Sequence, residues 1–176
     1  MGNKYAKPDP LDLARTGDED ALEQVLGGIV APLFDLALIR FHQPARAETA
    51  VVEGLHAAAT TIRGGNLEST PLAIAAREVL APRPDVPELT TQASDIEQVL
   101  ESLAEPERLA VLAVVACDLD ADELGHALTR TPEEASDLVT RGMSSLDLSS
   151  EALRDAVEER AAAVALPFGL IDRALD

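Results

Sequence analysis

Apolar residues recur at three- and four-residue intervals along most of this chain, which is the spacing of one face of an α-helix. In the first half the spacing predicts helices over residues 11–26, 30–41, 46–62 and 71–80. Within the first segment, Asp18 follows a Thr-Gly turn and is expected to cap the main helix. Gln43-Pro44 and Gly64-Gly65 are expected to end the second and third helices.

The second half shows a similar pattern with clearer helix starts. An apolar stripe from Ile96 to Leu103 is followed by a turn at Glu105-Pro106 and a helix through Cys117. Two short helices then open on capping signals, Asp120 with Glu123 and Thr131 with Glu134. Because about three residues, 129–131, join these two helices, the pattern predicts a helix-turn-helix.

A further helix is predicted over residues 150–166, where Pro167 breaks the pattern, and residues 168–176 are expected to add a last helical turn. Three prolines between residues 82 and 87 mark an interdomain linker. The fold class is therefore all-α, with two small helical domains, a Pro-rich linker and a C-terminal helix. The expected divisions are a flexible tail at 1–10, a bundle at 11–81, the linker at 82–94, the helix-turn-helix domain at 95–148 and an extension at 149–176.

Composition supports helix packing. Apolar residues make up 47% of the 176 residues, Trp is absent, and there are three Phe and one Tyr. A sheet would be expected to contain more β-branched and aromatic residues.

Charge conflicts with the function that a helix-turn-helix usually has. The formal net charge is −18, and residues 96–146 contain eleven Asp and Glu against three Arg. Affinity for a duplex comes largely from Lys and Arg that neutralise its phosphates. We therefore expect weak or absent DNA binding, no membrane association, and a protein partner that could itself be basic.

No pattern of catalytic, cofactor-binding or metal-binding residues is found. Cys117, the only cysteine, lies in an apolar run and is expected to be buried, and the three His are scattered. We expect no metal, no cofactor and no enzymatic activity. Because residues 1–10 lack an apolar signal region and no uninterrupted run of ~18 apolar residues occurs, we expect a cytoplasmic protein.

The order of helices and several local motifs resemble the extracytoplasmic-function class of bacterial RNA polymerase sigma factors over residues 12–147. The chain begins its first domain with a Gly-Asp-x-x-Ala core at Gly17-Asp18, and Ala47-Glu48 occupies the place of the family's Ala-Glu-Asp-x-x-Gln motif. Other similar segments are residues 72–77, 100–112 and 119–128. The resemblance implies a bundle like sigma region 2 and a helix-turn-helix like sigma region 4.

Departures from that family fall on its polymerase-contacting and promoter-contacting positions. Thr49 and Val52 stand where the family has Asp and Gln on the polymerase-binding helix. Positions of the promoter-reading helix that are commonly Thr, Lys and Arg are Glu134, Ser136, Leu138, Met143, Ser144 and Ser145, and Arg141 is the one basic match. We expect the altered polar positions to contact a protein partner instead, on one domain Glu133, Glu134 and Asp137, and on the other Thr49, Val52 and Leu55.

Three interpretations of function stay open. The first is a sigma-like regulator or decoy that binds an anti-sigma factor or a component of the transcription machinery. The second is a divergent sigma factor that still directs core RNA polymerase to promoters. The third is an acidic helical adaptor unrelated to transcription, since a fold does not fix a function.

Overall fold

All regular structure in the described residues, 8–83 and 94–176 of a computed structural model, is α-helical, which confirms the predicted fold class. The helices in chain order are α1 (Pro10–Arg15), α2 (Glu19–Phe41), α3 (Pro44–Gly64), α4 (Pro71–Leu80), α5 (Asp95–Glu101), α6 (Glu105–Cys117), α7 (Ala121–Leu128), α8 (Pro132–Ser145), α9 (Ser150–Ala162) and α10 (Leu170–Leu175).

Helix α2 joins two segments that the apolar pattern separates. The chain stays helical through Gly27 and Gly28, and Pro32 lies inside the helix. An interior Gly costs about 1 kcal/mol and an interior Pro about 3 kcal/mol relative to Ala. Leu26 before these residues and Leu33 after them are fully buried. Burial on both sides therefore outweighs the local preference for a break.

Most predicted helix ends are confirmed. The side chain of Asp18 accepts a hydrogen bond from the N–H of Ala21 at 3.0 Å, and Gly65 ends α3 with a φ of 71°. The helix predicted over residues 150–166 is shorter, because α9 stops at Ala162.

Helices from the two halves of the chain pack against one another. Helix α2 contacts α6 and α9, α4 contacts α7, and α10 lies on α3 and α2. One apolar core runs through both halves. The division into two domains stays a prediction; most of the predicted linker, residues 84–93, and residues 1–7 of the predicted tail lie outside the described residues. Residue Pro10 of that tail already belongs to α1.

Arg40, which is only 6% exposed, joins the ends of two helices. Its guanidinium donates hydrogen bonds to the carbonyls of Val79 and Ala81, where α4 ends, and lies 5.3 Å from the ring centre of Phe41. Burial lowers the pKa of Arg40 to about 10, so the side chain remains charged at neutral pH. The carbonyls at the end of α4 thereby receive the partners that a helix end requires.

Helix α2 is also long and apolar enough, by length and composition alone, to cross a membrane. Its most apolar 18-residue window is 50% buried inside the structure. Central helices of soluble proteins have the same length and composition, so this similarity is weak evidence for a membrane segment. A cytoplasmic location stays a prediction.

Candidate functional site

The six predicted contact residues lie on two helices, three on α3 and three on α8. On α3, Thr49 is exposed and Val52 is partly buried. Leu55 is 0% exposed, so its side chain is not accessible to a partner in this structure. Leu55 belongs to the core because it lies on the side of α3 that faces the other helices.

The orientation of α3 depends on a close approach at Gly54. A Cβ atom at this position would lie 2.8 Å from the carbonyl oxygen of Ala75 in α4. Since that distance is well inside van der Waals contact, only glycine lets the two helices approach this closely. The neighbouring residues Leu55, Ala58 and Ala59 are consequently held in the core.

Helix α10 covers one edge of α3. The guanidinium of Arg173 lies 3.3 Å from the carboxylate of Glu48, and Nδ1 of His56 lies 2.9 Å from the carbonyl oxygen of Ala174. Val52 falls between Glu48 and His56 on the same helical stripe, because residues four apart are neighbours on a helix surface. Helix α10 therefore lies along the stripe that contains Val52, whereas Thr49 remains exposed.

Helix α8 is anchored on one side and open on the other. Ala135, Leu138 and Gly142 are buried. A Cβ atom at Gly142 would lie 2.6 Å from Cγ2 of Val111 in α6, so the glycine allows α8 to pack closely. The opposite face is exposed to solvent, and the exposed polar residues of α8 are Glu133, Glu134, Ser136, Asp137, Thr140, Arg141, Ser144 and Ser145.

Glu134 has a structural role in addition to its exposure. Its carboxylate accepts a hydrogen bond from the backbone N–H of Thr131 at 3.0 Å, and its own N–H donates to the Thr131 hydroxyl at 3.2 Å. This reciprocal pair is the predicted capping box. The hydrogen bond from the Thr131 backbone is the main cause that lowers the pKa of Glu134 below its ordinary value of 4.5. Glu133 and Asp137 have no such role, and they are the acids of α8 with which a contact function can be tested cleanly.

Helix α4 supports the α7–α8 pair from the other half of the chain. The Thr70 hydroxyl donates to the Glu123 carboxylate at 2.7 Å, and the guanidinium of Arg77 lies 3.4 Å from Nε2 of His126. Burial, followed by the charge of Arg77, lowers the pKa of His126. A neutral His126 can accept from Arg77, so this contact is compatible with neutral pH.

Positive charge is largely neutralised within the described ranges. Arg141, the one arginine of α8, pairs with Glu107 of α6 at 3.2 Å. A carboxylate oxygen also lies within 4.0 Å of Arg15, Arg63, Arg77, Arg83, Arg108, Arg154, Arg160 and Arg173. These neighbouring carboxylates lower the positive potential that the described surface offers to phosphates.

A buried polar cluster was missed by sequence reasoning. Glu97 is 1% exposed, and its carboxylate receives the Ser94 N–H at 2.6 Å, lies 3.2 Å from Arg160 and lies 3.4 Å from Nδ1 of His42. Burial alone would raise the pKa of Glu97, but the hydrogen bonds from Ser94 and the charge of Arg160 hold the pKa below its ordinary value. The capping pattern Ser94-x-x-Glu97 was visible in the sequence; the partners from α2 and α9 were not.

The cluster does not form a substrate site. The cavity beside the cluster is lined by Arg40, His42 and Glu101 among others, and its volume is about 20 Å³. That space admits about one water molecule. The cluster therefore joins the end of α2 to α5 and α9 and leaves no room for an organic ligand.

Other reactive side chains do not assemble into a site either. Cys117 is buried as predicted, and burial raises the pKa of its thiol to about 12. A thiol with so high a pKa is a poor nucleophile at neutral pH. Within residues 8–83 and 94–176, no group of three or more His, Cys, Asp or Glu side chains is arranged to hold a metal ion.

Comparison with protein-family models, with curated proteins and with solved structures found no match to this chain.

Proposed function

We propose that this protein is an acidic, sigma-factor-like regulator that acts through protein contacts and binds DNA weakly or not at all. Its partner is an anti-sigma factor or a component of the transcription machinery with a basic surface. The open face of α8, with Glu133 and Asp137 at its centre, is the proposed docking surface.

The single observation that carries this proposal is the state of α8. Its outward acids are exposed, whereas its one arginine, Arg141, is paired with Glu107. A helix that reads a promoter presents cations to phosphates, and acids at the same positions repel them. The same acids would steer a basic protein surface toward α8 and suppress encounters with nucleic acid.

The decisive experiment compares two charge-reversed variants of the tagged full-length protein in affinity capture from native lysate at moderate salt. The test variant is Glu133→Lys/Asp137→Lys on α8. The control is Glu151→Lys/Asp155→Lys on α9, whose acids occupy the corresponding second and sixth helical positions and are also exposed. Both variants raise the formal net charge from −18 to −14.

We expect the wild type and the α9 control to retain an anti-sigma factor or a transcription component, and the α8 variant to lose it. Equal retention by all three proteins would remove α8 from the interface. Recovery of core polymerase, with salt-sensitive promoter binding and transcripts that depend on the protein, would establish a divergent sigma factor instead. Recovery only of proteins unconnected with transcription would establish an adaptor.

A further inference from the structure

Helix α10 is a short helix that packs on α3 and α2. Its six residues follow an irregular segment, residues 163–169, in which Leu166 is 43% exposed and Phe168 is 100% exposed. Within that segment Val164 packs against the core, but Leu166 and Phe168 contribute little to holding α10 in place. Isolated helices shorter than ~12 residues are marginal in water, so α10 depends on its docking site to be helical.

The docking site is narrow and well defined. Leu170 and Ala174, four residues apart, are 2% and 1% exposed, and Ile171 reaches toward Gly27 of α2. Polar contacts are the ion pair of Arg173 with Glu48 and the 2.9 Å contact of His56 with the Ala174 carbonyl. The ion pair is substantially exposed, with 47% of the Arg173 side chain and 30% of the Glu48 side chain accessible, so solvent screens it.

We propose that the edge of α3 formed by Glu48, Val52 and His56, together with α2 at Gly27, is a docking groove for an amphipathic helix that α10 occupies in cis. The occupant that α10 exemplifies has two apolar residues four apart, a leucine and then a small residue, with a basic residue just before the second. A partner helix with this pattern displaces α10 and pairs its cation with Glu48. This groove is separate from the open face of α8, and the proposal does not depend on the function proposed for that face.

The pattern of α10 makes the displacement selective. A competing helix must place an apolar side chain where Leu170 lies and a cation near Glu48, and an acidic residue there would face Glu48 at close range. Because α10 is tethered, it competes at a high effective concentration. Access to the groove is then set by the fraction of molecules in which α10 is detached.

The test uses a synthetic peptide with the sequence of residues 163–176 as the competing helix, titrated into ¹⁵N-labelled full-length protein and followed by backbone amide chemical shifts. Leu170→Glu is the variant expected to detach α10. Ala165→Glu, in the exposed irregular segment, adds the same charge without touching the groove. We expect saturable shifts at Glu48, Val52 and His56 in Leu170→Glu, at a peptide concentration at least ~10-fold lower than in the wild type or in Ala165→Glu.

A folded Leu170→Glu protein whose α3 amides do not shift would overturn the proposal, as would equal affinity for the variant and the wild type. A peptide with Glu in place of its arginine should bind at least ~10-fold more weakly, and equal binding would contradict the role of Glu48. If Leu170→Glu loses its dispersed spectrum, Arg173→Glu detaches α10 more gently and replaces it in the titration. Hydrogen exchange of the wild type gives an independent check, since α10 amides that exchange only with global unfolding would also overturn the proposal. No cellular partner takes part in these measurements, so their failure and the failure of the α8 proposal are distinguishable.

Discussion

Helices α3 and α8 both carry residues predicted to contact a partner, yet their outer faces differ in what covers them. The edge of α3 is covered by α10, through Arg173 on Glu48 and the Ala174 carbonyl on His56. The outer face of α8 carries Glu133 and Asp137 in contact with solvent. The outer face of α8 is therefore accessible, whereas the Glu48, Val52 and His56 edge of α3 is covered by a segment more than a hundred residues later in the chain.

This difference shows which surface features a helical sequence pattern can predict and which it cannot. The pattern identifies which face of a helix is polar, because that depends on residues within two turns. It does not identify which distant segment covers the polar face. Substitutions on α3 and α8 test whether the two helices also differ in how much their packing contributes to stability.

The largest effect is expected from the glycines that set the two helices. Gly54→Ala should destabilise the protein by about 2–3 kcal/mol, because its Cβ meets a helical carbonyl that cannot retreat. Gly142→Ala should also cost about 1–3 kcal/mol, because Cγ2 of Val111 belongs to a β-branched, fully buried side chain and the carbonyl oxygen of Glu107 lies 3.3 Å from the new Cβ. Urea denaturation followed by circular dichroism at 222 nm measures both.

Gly28→Ala supplies the control for these two variants. No atom outside its own helix lies within 4 Å of a Cβ built there, so this change should stabilise α2 by up to about 1 kcal/mol. A greater loss for Gly142→Ala than for Gly54→Ala would show that α8, not α3, is the more tightly constrained helix.

A smaller difference in stability between α3 and α8 is expected when one threonine of each helix is replaced by alanine. Thr131 caps α8, and Thr131→Ala should cost about 1 kcal/mol of unfolding free energy. Thr49 donates only to the carbonyl of Ala45 within α3, so Thr49→Ala should change stability by less than about 0.5 kcal/mol. Equal losses in thermal denaturation would mean that Thr49 makes a tertiary contribution that its exposure does not suggest.

The ion pairs Arg141–Glu107 and Arg173–Glu48 allow a smaller comparison. Both are partly exposed, so a double-mutant cycle to Ala should give a coupling energy of about 0.2–1 kcal/mol for each pair. Both coupling energies should fall when the salt concentration rises. A coupling energy well above this range for Arg173–Glu48 would indicate that α10 is held firmly on α3, and it would count against the displacement of α10.

The smallest effect is a pH dependence confined to the start of α8. The pKa of Glu134 is lowered on folding, so its carboxylate stabilises the native state above its ordinary pKa of 4.5 and ceases to do so as pH falls through the lower folded value. The difference in Tm between wild type and Glu134→Gln should therefore be present at pH 6 and shrink toward pH 3. Calorimetry measures it, with Glu133→Gln as the control that removes a neighbouring charge outside the capping box. A difference that is constant with pH would contradict the role of the capping hydrogen bonds.

Features that depend on neighbouring residues could be predicted from the sequence. The bounds of α4 and the capping boxes of α7 and α8 agree with the structure because a cap and its partner are three residues apart. Val52 and Leu55 are three apart on one helix, and no local signal distinguishes the edge under α10 from the face in the core. The partners of Glu97 from α2 and α9 were likewise hidden, since they are joined only by the packing of distant helices.

Arg40 couples the C-terminal end of α2 to the C-terminal end of α4. If the end of α4 were to fray, the carbonyls of Val79 and Ala81 would withdraw from the guanidinium and leave a buried cation without acceptors. An uncompensated buried charge costs several kcal/mol, so fraying of α4 carries a penalty that ordinary helix ends escape. We therefore expect the ends of α2 and α4 to open together and not one at a time.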